Sequence, residues 1–362
     1  MDIKDRFNED SVGALAAAVQ GAAAEAGAPF EPEAFLARIF DAGWPERELK
    51  ERIRHISGVL CELLPDDYGA ALGILRQAMP QVEGITKWVL TDYVEVYGLD
   101  DWQASISALE EFTPQMSAEF AIRPFIVRYP ERTMAQMLAW ARHENDDVRR
   151  LASEGCRPRL PWGIRLQALV ADPAPILPIL ELLKDDPCES VRRSVANNLN
   201  DISKDHADLV LDLLRRWQAD GGPEIDWIVN HALRTLLKKG HPGALALVGY
   251  GPPAVDVRNL AVEPETIPLD GEVTFSFDVE SLAGGPQELM IDFIVHLVRA
   301  RGKRTPKVFK LTKRTLQPGE VLRVEKVFSF QPVTTRKYYP GEHAIEPQIN
   351  GITYGSVSFQ VG

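Results

Sequence analysis

The stretch DDVRRLASEGC (146–156) comes back as ESVRRSVANNL (189–199), which sets Val148 over Val191 and Arg149-Arg150 over Arg192-Arg193 at an offset of 43 residues. A weaker third copy is DWIVNHALRTL (226–236). Recurrence at about 40–47 residues, with an acidic residue ahead of Val-Arg-Arg, marks a pair of helices used as a repeating unit. One such pair hides a single face, so it is stable only when stacked on its neighbours, and stacking gives a curved solenoid with a concave inner surface.

Helical spacing extends well beyond the repeat. Ile53, Ile56, Leu60 and Leu63, then Leu72, Leu75 and Met79, recur every three or four residues, as amphipathic helices require. The pattern stops at GYGPPAVDVRNL (249–260). Beyond it, Val273, Phe275, Phe277 and Val279 alternate with Thr274, Ser276 and Asp278. Val324, the Val327-Phe328 pair and Phe330 follow the same rule, as do Val357, Phe359 and Val361. The turn signals LDGE, AGGP, QPGE and NGIT separate these runs, and Asn350-Gly351 suits a type I′ hairpin turn. The expected fold is mainly α: a HEAT-like α-α superhelical solenoid over residues 1–250, then a smaller all-β immunoglobulin-like sandwich of about seven strands over 251–362.

Charge is unevenly spread between these halves. Of the net −12, residues 251–362 contribute nothing, with 13 basic and 13 acidic groups, so the helical part carries all of it. Yet RARGKRTPKVFKLTKR (299–314) holds eight basic residues and no acidic one. Local patches rather than totals set the attraction to phosphate. Lys303, Arg304, Lys313 and Arg314 in that strip, with Arg336 and Lys337 in TTRKYYPG (334–341), are therefore candidate contacts to a phosphate-bearing partner. The competing reading of 299–314 is a solvated edge strand whose charges resist aggregation. The polar start MDIKDRFNED is no signal peptide, and no apolar run is long enough for a spanning helix. Three scattered cysteines without a CxxC fit a reducing cytoplasm.

No phosphate loop, dinucleotide fingerprint or HExxH is present, and no histidine stands at ligand spacing from a cysteine, so neither a metal nor a cofactor is expected. SEGCRPRLPW (153–162) is the densest chemistry in the chain. Its Cys156 has basic neighbours but no histidine nearby, which leaves packing as its role. Three carboxylates in small or apolar surroundings stand one repeat-like step apart: Glu119, Glu154 and Asp201, separated by 35 and 47 residues. Adjacent repeats bring such positions to one spot, in a groove expected to hold Arg149, Arg157, Arg159 and Arg192 as grips on an anion. Structural alternatives stay open here. Glu119 suits the first turn of a helix near a Ser117 cap, Asp201 an inter-repeat turn, and Val-Arg-Arg arginines often bond between repeats.

The motifs SAEFAIRPF, LASEGCRPRLPW and SVRRSVANNLNDISK, with the earlier LKERIRHISGVLCELLPDDY, resemble bacterial DNA alkylation-repair glycosylases of the AlkC type, over nearly the whole chain. The resemblance implies a HEAT-like solenoid with an Ig-like domain and excision of cationic N3-methylated bases, chiefly 3-methyladenine and 3-methylcytosine. It also implies that Glu119 and Asp201 are the acidic active-site positions, with Glu154 and Trp162 beside them. Double-stranded DNA carrying alkylated bases is then the partner, approached from the lesion's sugar side rather than by flipping the base, by a monomer that works in the cytoplasm on the nucleoid. An N3-methylated base is a ready leaving group, so the sugar, which turns positive as the bond stretches, is what carboxylates would stabilise. A second carboxylate would orient water, Trp162 would lie against the sugar or a base, and Arg157 and Arg159 would hold phosphates. Two rivals remain on the sequence alone: a non-enzymatic HEAT-repeat scaffold, and a protein that bends DNA without cleaving any bond.

Overall fold

The computed structural model describes residues 2–333 and 336–362, which form two compact units. One comprises residues up to 205 together with 222–232; the other comprises 206–221 and 233–362.

The first unit is a stack of helices. Leu49–Leu63 packs on Trp88–Tyr97, and further along Asp146–Glu154 packs on Glu189–Ile202, which in turn meets Ile225–Ala232. The repeat explains the second group. Val148 and Val191 are both buried, with Leu151 and Val195 one turn on, so the apolar stripe of each copy faces its neighbours. Ile228 is buried in the third copy, whose helix ends at Ala232. Asn145 starts the first of these helices by accepting the backbone N–H groups of Asp147 and Val148, at 2.9 and 3.3 Å.

The arginine after each valine performs the same task in both copies. Arg149 donates to the carbonyl oxygens of His143 and Glu144, and Arg192 to those of Asp186 and Pro187. Each also reaches the following repeat, Arg149 to the Asp186 carboxylate at 2.6 Å and Arg192 toward Glu224 at 3.9 Å. Both are fastened between repeats, which corrects the expectation that they line the groove as anion grips. Their donors close inter-helix turns that would otherwise leave carbonyls unmatched.

The second unit groups the helices Ala207–Asp220, Arg234–Lys238 and Pro242–Leu247 with a β-sandwich. Its strands are β1 (Val255–Glu263), β2 (Thr266–Ile267), β3 (Glu272–Ser281), β4 (Gln287–Val298), β5 (Arg304–Leu316), β6 (Val321–Ser329), β7 (Gly341–Ile349), β8 (Ile352–Thr353) and β9 (Val357–Val361). One sheet runs β1-β3-β6; the other runs β2-β9-β7-β4-β5, with β8 beside β7. Val273, Phe275, Phe277 and Val279 point into the shared core with Phe293, Val295, Phe328 and Phe359, as alternation requires. Val327, expected to behave with Phe328, faces solvent because its neighbour takes the inward position. Asn350 and Gly351 have φ of 44° and 80°, the two positive values that a type I′ turn needs.

The basic strip forms the turn around Gly302 and then β5, an edge strand hydrogen-bonded to β4. Lys303 and Arg314 are exposed, and Arg304 pairs with Glu342 at 2.5 Å. Lys313 lies 5.3 Å from the Tyr250 ring. Arg336 lies 5.3 Å from the Phe309 ring and donates to the Tyr338 hydroxyl, while Lys337 sits 5.7 Å from Tyr339. Thr334 and Thr335 of that loop lie outside the described residues.

Candidate active site

SEGCRPRLPW is the corner where helix Asp146–Glu154 ends and the chain turns toward the next short helix, Gln167–Ala171. A corner at this position exposes many backbone groups, and one buried side chain satisfies several of them. Arg123, fully buried in the helix Ile122–Arg128, donates to the carbonyls of Gly155 and Arg157 at 2.8 and 2.9 Å and to that of Ile164 at 2.7 Å. Burial pulls its pKa down to about 10, which still leaves it charged at neutral pH. Gly163 leaves room for this clamp: a Cβ there would lie 3.0 and 3.1 Å from the Arg123 Nε and Cδ, which would have to give way by a few tenths of an ångström. Cys156 lies inside the corner, fully buried and donating to the Ala152 carbonyl. Burial pushes its thiol up to about 12, the opposite of what a nucleophile needs.

The corner ends on Trp162, whose φ is 64° although it is not glycine. A left-handed tryptophan costs roughly 1–3 kcal/mol, so the surroundings must hold it there. Its indole is 63% exposed, an unusual surface for so large an apolar group. Together with Pro161, Leu160, Trp88, Phe120, Glu119, Glu154 and Arg157 it walls a cleft of about 410 Å³. Phe120 stacks on Trp88 at 5.1 Å, and the Lys50 ammonium lies 4.7 Å above the Phe120 ring while donating to the Trp162 carbonyl at 2.7 Å.

The acids sit at graded depths. Glu119 stands in the turn ahead of Ile122–Arg128, half-buried at the cleft. Ser117 does not cap the backbone there; its hydroxyl donates to Glu119 Oε2 at 3.1 Å, and Arg150 donates to the same oxygen at 2.9 Å. Oε1 of Glu119 has no donor among the described residues. Glu154, on the last turn of its helix, is buried and accepts from Arg157 and Ser194, each at 2.6 Å. Asp201 is deeper still, 1% exposed, accepting from Arg157 at 2.9 Å and Lys204 at 2.8 Å. It reaches the cleft only through Arg157, which lies between the two buried carboxylates.

Of the expected site residues, Glu119, Glu154, Trp162 and Arg157 thus meet at one cleft, with Asp201 one layer behind. Arg157 belongs to the acidic cluster rather than on a phosphate: its burial is outweighed by Glu154 and Asp201, which raise its pKa and keep it charged. Arg159 makes a bidentate pair with Asp205 on the surface, and Arg149 and Arg192 stay between the repeats. Sequence reasoning missed Arg123, Arg150, Lys50, Trp88 and Phe120. A charged residue amid apolar ones in AIRPF was the one legible signal, pointing to Arg123. Among the described residues no group of acids, histidines and cysteines is arranged to hold a metal ion.

Three carboxylates and three cations, Arg150, Arg157 and Lys204, thus interlock with no net charge. Such a lattice is oriented before any ligand arrives, and among the described residues it leaves one carboxylate oxygen, Glu119 Oε1, without a donor in a cleft that Trp162 also lines. A cation-forming group placed there would be stabilised without reorganisation of the protein.

Comparison with known proteins agrees in both halves. Residues 256–362 match the family model described as the C-terminal Ig-like domain of the uncharacterised protein YhaZ. The curated protein YhaZ of Bacillus subtilis (strain 168), itself described as uncharacterized, is 43% identical over 361 residues, 99% of each chain. A solved structure of the Pseudomonas fluorescens alkylpurine DNA glycosylase AlkC, bound to DNA containing an abasic site analog, superposes with a TM-score of 0.93 at 38% identity, covering 100% of both chains. With that likeness running from end to end through both units, the chain belongs to the AlkC family of alkylpurine DNA glycosylases.

Proposed function

We propose that the chain is a monofunctional DNA glycosylase that hydrolyses the N-glycosidic bond of cationic N3-methylated bases, 3-methyladenine and 3-methylcytosine, in double-stranded DNA. The observation that carries this reading is Glu119 Oε1, without a donor among the described residues, in a cleft also lined by the exposed Trp162. The bond from C1′ to the base breaks first, and the base leaves neutral with the electron pair. Positive charge then sits on the deoxyribose. Glu119 faces that charge, and because the ground-state sugar is neutral, the attraction grows toward the transition state and accelerates the step. Water adds at C1′, and its proton passes to a carboxylate of the cluster, leaving an abasic site. Undamaged adenine is a poor leaving group, and the cleft offers no acid placed to protonate it.

Asp201 and Glu154 act through Arg157, fixing the lattice against which Glu119 is aimed. The exposed cations of the sandwich, Lys303, Lys313, Arg314 and Lys337, together with the half-buried Arg336, hold DNA phosphates, while Arg159 stays in its bidentate pair with Asp205. No helix among the described residues is long and apolar enough to cross a membrane. The enzyme acts as a monomer in the cytoplasm, on the nucleoid.

The test is incubation with methylated duplex, scoring free 3-methyladenine and 3-methylcytosine, for the wild type, Glu119→Gln and Asp201→Asn. Release by the wild type, with DNA binding kept and release lost in the variants, is expected. Wild-type binding without release would instead indicate a DNA-bending protein, and absence of both would indicate a scaffold.

A further inference from the structure

Trp162 is held in its left-handed conformation by something, and the corner's own bonds do not account for it. Arg123 takes the carbonyls of Gly155, Arg157 and Ile164, and the Gly163 N–H takes that of Leu160. The carbonyl of Trp162 itself has one donor among the described residues, the Lys50 ammonium at 2.7 Å. Lys50 comes from the first turn of helix Leu49–Leu63, 112 residues earlier in the chain. The same ammonium lies 4.7 Å from the centre of the Phe120 ring, and Phe120 follows Glu119 directly. Phe120 is in turn braced by Trp88, nearly parallel to it at an interplanar angle of 16°.

We propose that Lys50 is a positioning residue for the reaction, a reading that rests on the glycosylase assignment above. One cation ties together the two walls of the cleft. It fixes the peptide orientation of Trp162 through a charge-assisted hydrogen bond, and it fixes the segment that carries Glu119 through the face of Phe120. An ammonium suits this task because it has three donors on a rotatable head, so it serves a carbonyl and a ring face at once. It makes no ion pair with either carboxylate of the cleft among the described residues. Without it, the Trp162 peptide is free to relax toward ordinary backbone geometry, which swings the indole away from Glu119. That loss falls on the orientation of bound substrate, not on the strength of DNA binding.

The experiment uses the full chain with 5-fluorotryptophan in place of its seven tryptophans, the Trp162 fluorine resonance being assigned with Trp162→Phe. In Lys50→Met without DNA, that resonance is expected to shift and broaden, with a smaller shift allowed at Trp88 beside Phe120, while the other five stay in place, which also shows that the protein is folded. Lys50→Arg, which keeps a cationic donor, restores the wild-type position. With methylated duplex, Lys50→Met lowers kcat about tenfold while KM stays within about twofold, the split expected of misplacement rather than lost binding. An unmoved Trp162 resonance overturns the proposal. So does a raised KM with kcat unchanged, which would make Lys50 a grip on DNA. Should Lys50→Met fail to fold, Lys50→Ala, which likewise removes both the charge and the donor, gives the same readings. If wild-type protein releases no base, the glycosylase reading falls, while the fluorine spectra still decide whether Lys50 holds the tryptophan.

Discussion

Replacing Arg157 by methionine tests the buried lattice most sharply. Arg157 is 6% exposed and lies between Glu154 at 2.6 Å and Asp201 at 2.9 Å, themselves 5% and 1% exposed. Methionine matches its length and apolar stem, so little packing changes. What changes is that two buried carboxylates lose their shared partner, although Asp201 keeps Lys204 and Glu154 keeps the Ser194 hydroxyl. Breaking a buried ion pair from one side costs about 3–5 kcal/mol, because the stranded charge has left water without compensation. For a cooperative unit of roughly 200 residues, each kcal/mol lowers Tm by about 2–4 °C, so the loss should be about 6–20 °C. Scanning calorimetry reads this directly. Adding Glu154→Gln and Asp201→Asn to Arg157→Met removes both stranded charges and should restore at least half of the loss. A fall of less than about 1 kcal/mol for the single variant, within the range of ordinary surface substitutions, would refute the claim that the three groups form one desolvated lattice.

Three further outcomes follow from other parts of the molecule. Because burial holds the Cys156 thiol up near 12, it stays protonated at pH 8, so iodoacetamide should spare it until the protein is unfolded in urea; rapid modification in the native state would contradict its burial. Asp292 on β4 is pushed up to about 6 by burial, against the opposing pull of Lys310. Between the ordinary aspartate range and that value the folded chain keeps a proton that the unfolded chain has lost, so stability drops as pH rises through this window and levels off above about 6. Asp292→Asn removes that slope, and its stability relative to wild type should be higher at pH 8 than at pH 5; equal differences at the two pH values would count against it. Neutralising Lys303, Arg304, Lys313 and Arg314 together should weaken binding to all duplex sequences and reduce the slope of log K against log salt by about 0.9 for each phosphate that the variant leaves unneutralised; an unchanged slope removes β5 from the DNA footprint.

The repeat was legible because it is periodic and local. Val148 and Val191 are buried alike, and Arg149 and Arg192 bond the carbonyls six and five positions behind them in both copies. The strands were legible through alternation, and the hairpin through Asn350-Gly351, since few residues accept two positive φ values in succession. The site was only half legible. Repeat spacing brought Glu119, Glu154 and Asp201 under suspicion, but spacing carries no depth, and Asp201 lies behind Arg157 instead of beside Glu119. Guanidiniums in a basic-looking stretch invite a phosphate, yet Arg157 and Arg159 each meet a carboxylate more than forty residues away. Lys50, Arg123 and Arg150 act across 112, 41 and 31 residues, through contacts that stacking creates; of the three only Arg123, a charge amid apolar neighbours, leaves a local trace in the sequence.

The central claim is that the cleft favours a sugar turning positive. Its most direct test is to measure affinity for two duplexes that differ at one abasic position, one bearing a neutral tetrahydrofuran and the other a protonated pyrrolidine ring. Transition-state mimics bind at least about a hundredfold tighter than ground-state ones when a site is built for the charge, so the pyrrolidine duplex should bind tighter by about that factor. In Glu119→Gln the two affinities should become nearly equal. Equal binding of both duplexes by the wild type, or a preference that survives Glu119→Gln undiminished, would contradict the account.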